Sequence, residues 1–73
     1  MARIEIKSEI TGTVWKLQAR PGDTIAAGDT LIVIESMKME IPVIAEDGGI
    51  LGELLVREHD PVIEGQTVAI LEA

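Results

Sequence analysis

The chain of 73 residues has no cysteine, no phenylalanine and no tyrosine, and only one tryptophan and one histidine. Without cysteine it can form neither a disulfide framework nor a thiolate metal site, which is compatible with a reducing compartment. One histidine cannot build a zinc site alone, so no metal is expected. With Trp15 as its sole aromatic residue, the interior must be assembled from Val, Ile, Leu and Ala, a supply that favours strands. Positive charge is also scarce, with six basic residues against thirteen acidic ones and a formal charge of −7. That balance repels phosphate backbones and anionic lipid faces, so neither nucleic acid nor a membrane is an expected partner. The longest aliphatic runs, such as Leu31 to Ile34, are four residues, and the start of the chain alternates charge with isoleucine instead of forming an apolar signal core. A soluble protein of the cytoplasm is the expectation.

Residues 1–73 make one small domain, whose core must be economical. Enzyme clefts typically take roughly several hundred cubic ångströms, which a core this thin can hardly spare. The composition therefore favours a carrier, adaptor or binding module over a catalyst.

What is present is a repeat. Slid against itself by 37 positions, the sequence aligns without gaps: Gly12 falls on Gly49, Leu17 on Leu54, Arg20 on Arg57, Asp23 on Asp60, Gly28 on Gly65, Thr30 on Thr67 and Glu35 on Glu72. The halves, 1–36 and 38–73, are too few for a solenoid, but they can cover each other's apolar faces about a pseudo-two-fold axis. Lys38 stands at the seam.

Each half reads as strand, turn, strand. Ile4 and Ile6 alternate with Arg3, Glu5 and Lys7, and Trp15 and Leu17 flank Lys16, the period-two pattern of half-buried strands. The same alternation predicts that Trp15 shares the buried face of Leu17, although Gly52 occupies the matching place in the second half. Pro21-Gly22-Asp23 and Ala26-Ala27-Gly28-Asp29 read as turns leading into Leu31 to Ile34. The second half repeats the plan with Ile41 to Ala45, Ile50 to Val56, turns at Glu58 to Asp60 and Glu64 to Gly65, and Val68 to Leu71. No stretch carries a helical stripe of helix length. The predicted fold is all-β, a flattened barrel or small sandwich of two related halves, with Pro42 on an edge or where no ladder donor is needed.

Between the apolar strands lies Ser36-Met37-Lys38-Met39-Glu40, which must reverse the chain in very few residues. Tight hairpins prefer Asn-Gly or Asp-Gly, so Met-Lys breaks a local rule that the other turns obey, and such violations concentrate at functional sites. Alternation along an extended segment predicts that Met37 and Met39 project together and Lys38 oppositely, out from the tip.

The segment Glu35-Ser36-Met37-Lys38-Met39-Glu40-Ile41-Pro42 resembles the Met-Lys-Met attachment motif of biotin carboxyl carrier proteins. The resemblance covers essentially the whole chain, since Gly22-Asp23, Gly28-Asp29, Gly49 and Gly65-Gln66 are similar to turn signatures of the biotinyl/lipoyl domain family. The gapless repeat resembles the short forms of that family, with no inserted thumb between the Trp15 strand and the Pro21 turn. His59 departs from the pattern, because Gly22 stands at its place in the first half.

The resemblance implies a non-catalytic carrier in which Lys38 takes covalent biotin as an amide from a biotin protein ligase. The amine must be neutral to attack, so the ligase supplies the deprotonating environment. Met37 and Met39 would flank the cofactor, and Glu35, Ser36 and Glu40 would serve recognition by the ligase. Biotin carboxylase and carboxyltransferase subunits are the implied partners, with tethering making both encounters effectively intramolecular. A lipoyl carrier would share the fold, but that family typically shows Asp-Lys-Ala at the tip. An unmodified interaction hairpin is the third reading. A Schiff-base enzyme would need a desolvating pocket around Lys38, which a protruding tip does not offer.

Overall fold

In the computed structural model, residues 2–73 are described, and Met1, the first residue of the expected domain, lies outside them. Eight strands follow one another: β1 (Arg3–Lys7), β2 (Gly12–Leu17), β3 (Thr24–Ile25), β4 (Thr30–Ser36), β5 (Met39–Ile44), β6 (Gly49–Leu54), β7 (Pro61–Val62) and β8 (Thr67–Glu72). They form two four-stranded sheets, β1-β8-β6-β3 and β5-β4-β2-β7, antiparallel throughout. The chain is all-β, and no helix occurs among the described residues.

Adding 37 carries β1 to β5, β2 to β6, β3 to β7 and β4 to β8, so one sheet order maps onto the other. The hydrogen bonds obey the same operation. Gly22 N donates to Leu51 O and His59 N to Val14 O, both at 2.7 Å, while Gly28 N donates to Ala45 O and Gly65 N to Ser8 O, both at 2.8 Å. The turns are capped alike. Asp23 Oδ2 accepts from Arg20 N and Asp60 Oδ2 from Arg57 N, each at 2.9 Å. Asp29 Oδ2 accepts from Ala26 N at 2.9 Å, and Gln66 Oε1 from Ile63 N at 3.0 Å. Short polar side chains satisfying backbone N–H groups are the local reason these segments turn.

The core lies between the sheets. Val14, Ile32 and Ile34 from one sheet meet Leu51, Val68 and Leu71 from the other, all fully buried, with Ile4, Ile6, Leu17 and Leu54 packed against them. Each such aliphatic side chain contributes roughly 1.5–3 kcal/mol by leaving water. The central strands β4 and β8 carry four successive buried residues each and form the rigid spine of their sheets.

Two details differ from the sequence reading, and the edge position expected for Pro42 is found. Trp15 is not buried, with 43% of its surface exposed. The register of β2 on β4 shifts between Val14 and Lys16, and the extra residue of this bulge takes Trp15 off the face that Leu17 presents to the core. An equivalent shift falls between Leu51 and Glu53, at Gly52. The two-residue strands β3 and β7 carry too little periodicity to be read in advance. Pro42 sits in the edge strand β5, opposite Val33, where its missing N–H costs no ladder bond.

Candidate functional site

Strands β4 and β5 pair from Thr30↔Ile44 up to Ser36↔Met39, which leaves Met37 and Lys38 alone to close the hairpin. Both have positive φ, 52° and 66°. Positive φ at both central residues is the signature of a type I′ turn, whose twist matches that of the flanking strands and which Asn-Gly ordinarily supplies. Met37 therefore belongs to the turn and not to an extended segment. The expected alternation of Met37 and Met39 about Lys38 does not apply, because the two methionines stand on either side of a reversal.

A left-handed conformation costs a residue with a side chain on the order of 1–3 kcal/mol and persists only where the surroundings over-determine it. Three features do so here. Strand β4 is clamped between β2 and β5, with Ile32 and Ile34 fully buried beneath it. Gly12 passes so close to β4 that a Cβ there would overlap the backbone oxygen of Glu35 and press on Ile34. Ser36 Oγ donates to Thr11 O at 3.0 Å, and Glu64 N donates to Thr11 Oγ1 at 3.0 Å, tying the base of the hairpin to two neighbouring loops.

Beyond that base the tip stands in solvent. Lys38 is exposed, Met37 is 92% exposed and Met39 63% exposed, an unusual presentation for two methionines. Glu35 lies directly across from Glu40, one pair below Ser36↔Met39. Like charges in that position weaken a ladder by roughly 0.2–1 kcal/mol. Neither carboxylate has a hydrogen bond or ion pair among the described residues, where the ion pair formed is Arg3 Nη2 to Glu53 Oε2 at 3.8 Å. The acidic pair is therefore not explained by hairpin stability.

The structure thus brings Glu35, Ser36, Met37, Lys38, Met39 and Glu40 into one exposed hairpin end. Ser36 serves as a brace, its hydroxyl turned to Thr11. Thr11, Gly12 and Glu64, none of which the sequence reading placed at the site, complete the support. A signal for them existed: at the equivalent positions 73, 48 and 27 the second copy of the brace is Ala73, Gly48 and Ala27, so the repeat breaks where the tip is held.

Among the described residues nothing encloses Lys38. A groove of about 520 Å³ runs between β1 and β5, lined by Ile4, Ile6, Ile41, Val43, Glu46 and Asp47 among others, and Lys38 is not part of it. Among the described residues no group of three His, Asp or Glu side chains is placed to hold a metal ion. Chemically, the arrangement offers a primary amine to an outside active site.

Comparison with known proteins gives a consistent result. The family described as "Biotin-requiring enzyme" in the biotin/lipoyl class matches residues 4–71. The chain is 38% identical over 63 residues to the biotin/lipoyl attachment protein of Bacillus subtilis (strain 168), covering 86% of each. It is 37% identical over 67 residues to the biotinylated protein TB7.3 homolog of Mycobacterium leprae, covering 92% of this chain and 94% of that one. Among solved structures, the Kluyveromyces lactis urea carboxylase superposes with a TM-score of 0.93 and 38% identity, over 99% of this chain but 6% of that protein.

Proposed function

The chain belongs to the biotin/lipoyl attachment family, and we propose that within it this protein is a biotin carrier whose Lys38 holds covalently bound biotin. The observation that carries this reading is the placement of Lys38: an exposed amine in a strained two-residue turn, on a hairpin braced by Ser36, Thr11 and Gly12. The residues present fit an amide-linked arm, since nothing among the described residues covers the tip and Met37 and Met39 offer soft apolar surface on both sides.

When bound, biotin would supply the carboxyl-carrying chemistry, taken up at a biotin carboxylase site and given up at a carboxyltransferase site. The chain's own part is mechanical. The sandwich holds the attachment point rigid, the turn keeps Lys38 clear of the body, and tethering raises the local concentration of the carried group without new contacts. The biotinylated relative and the carboxylase superposition support biotin and carboxylase partners. A lipoyl group is the second reading, favoured by the attachment of either group that the Bacillus protein's name covers.

The deciding experiment is intact-mass and tandem mass spectrometry after incubation with a biotin protein ligase and, separately, a lipoate ligase. Biotin on Lys38, absent from Lys38→Arg, is the expected outcome. Lipoate alone would establish the second reading, and no label from either enzyme would remove the carrier function.

A further inference from the structure

The pseudo-two-fold provides an internal control, because every surface position has a counterpart that the fold treats alike. The outer faces of the two sheets should therefore match, and they do not. Val33 and Ile70 are equivalent, and both are buried (8% and 6%) yet outside the core cluster, which places them on the outer faces. Around Ile70 the surface is mostly polar, with Ile50, 42% exposed, as its large apolar side chain. Arg3 pairs with Glu53, Glu5 Oε1 accepts from Thr67 Oγ1 at 2.9 Å, and the Glu72 side chain lies over Gly52.

Around Val33 the counterparts of Arg3, Glu53, Thr67 and Glu72 stay polar, as Glu40, Lys16, Thr30 and Glu35, and Ile50 gives way to Thr13, but three other positions turn apolar and one of them aromatic. Trp15 stands for Gly52, Pro42 for Glu5 and Ile44 for Lys7, with Trp15 43% and Ile44 47% exposed. Glu40, Pro42 and Ile44 alternate with Ile41 and Val43 along the edge strand β5, so they share this face. Towards the tip the patch is bordered by Glu35 and Glu40, which have no partner among the described residues, and on the far side Lys16 lies opposite Val33. The patch begins two residue pairs below the acidic pair, about 10 Å from the last pair of the hairpin. Nothing in the folding of the sheet requires this asymmetry, since the other half folds without it.

We propose that this face, with Trp15, Pro42 and Ile44 at its centre and Glu35 and Glu40 on its tip-side border, is where the ligase that acylates Lys38 docks. The complementary surface on that enzyme is apolar and bordered by Arg or Lys facing the acidic pair. The inference rests on the carrier reading and deepens it: recognition extends from the tip down one sheet and not the other. A tryptophan flanked by exposed aliphatics is the composition of an interface centre, and the carboxylates facing a basic border would speed encounter and set orientation.

The test places the counterparts Glu5 and Lys7 of one half at Pro42 and Ile44 of the other and replaces Trp15 with a polar strand former. Pro42→Glu, Ile44→Lys and Trp15→Thr are assayed with a biotin protein ligase, or with a lipoate ligase if that is the enzyme that labels the parent. Each should raise KM roughly tenfold while kcat stays within about twofold, the pattern of lost docking with intact chemistry. Glu35→Gln with Glu40→Gln should raise KM and flatten its dependence on salt. Glu53→Gln and Glu72→Gln on the opposite sheet, away from the groove that Glu5 and Lys7 share with Pro42 and Ile44, should leave KM unchanged. Circular dichroism confirms folding, and if Trp15→Thr unfolds, Pro42→Glu and Ile44→Lys decide. Unchanged KM in those variants, or equal effects from the opposite sheet, would overturn the docking face while the carrier reading stood. A parent chain that takes no label from either ligase would sink both together.

Discussion

His59 occupies in the second half the place that Gly22 holds in the first, and both are left-handed, with φ of 76° and 96°. Each N–H donates to the opposite half, His59 to Val14 O and Gly22 to Leu51 O. The hydrogen bond is thus kept at both sites, but only one site has the residue that adopts the conformation without strain. His59→Gly should stabilise the protein by about 0.5–1 kcal/mol, part of the relief being offset by greater freedom of the unfolded chain. For a chain of this size that is a rise in Tm of roughly 3–6 °C, readable by circular dichroism. A fall in Tm would mean that His59 makes a compensating contact.

Gly12 and Gly49 are equivalent and serve close approach rather than a special dihedral. A Cβ at Gly12 would lie on the backbone oxygen of Glu35, and one at Gly49 would stand 2.5 Å from that of Glu72. Gly12→Ala and Gly49→Ala should each cost about 1–3 kcal/mol in urea unfolding. Of the two, only Gly12→Ala should also slow labelling of Lys38, because it displaces the strand that carries the tip. Equal labelling by both variants would show that strand position does not govern the reaction.

Met37→Gly should relax the turn, since glycine accepts the φ of 52° that methionine holds there. Stability should rise by up to about 1 kcal/mol, while kcat/KM for ligation falls through the lost thioether contact. Thermal unfolding and ligase kinetics on the same sample measure the two. An increase in both would mean that the strain has no functional counterpart.

The double variant Met37→Asp, Met39→Ala reproduces the flanks typical of lipoyl carriers. It should keep its fold and shift the ratio of lipoate to biotin labelling by about 1–3 kcal/mol in competition between the two ligases, measured by intact mass. Identical partitioning of variant and parent would make the methionines simple surface residues.

Much of this was legible from residue order because the relevant patterns are local. The alternation of Ile4 and Ile6 with charges, the turn signals at Gly22 and Gly28, and the equivalence of Gly12 with Gly49 each announce strand, turn or repeat within a few neighbours. So does the anomaly of Met37-Lys38 at a reversal. The family resemblance rested on that segment together with the turn signatures at Gly22, Gly28, Gly49 and Gly65, and the structural match over 99% of the chain agrees with it.

Tertiary structure alone decided what depends on register between distant strands. Whether Trp15 faces the core is set by an extra residue in β2 against β4, a property of the pair and not of either strand. The brace at the tip joins Ser36 to Thr11 and Thr11 to Glu64, across separations of 25 and 53 residues, so no local pattern could announce it. The sequence by itself determined the two-fold plan and the lysine at its seam, because both are written in short-range periodicity. The closure of the sandwich chose which face each side chain shows and which loops hold the tip, since packing two sheets fixes contacts that chain order leaves open.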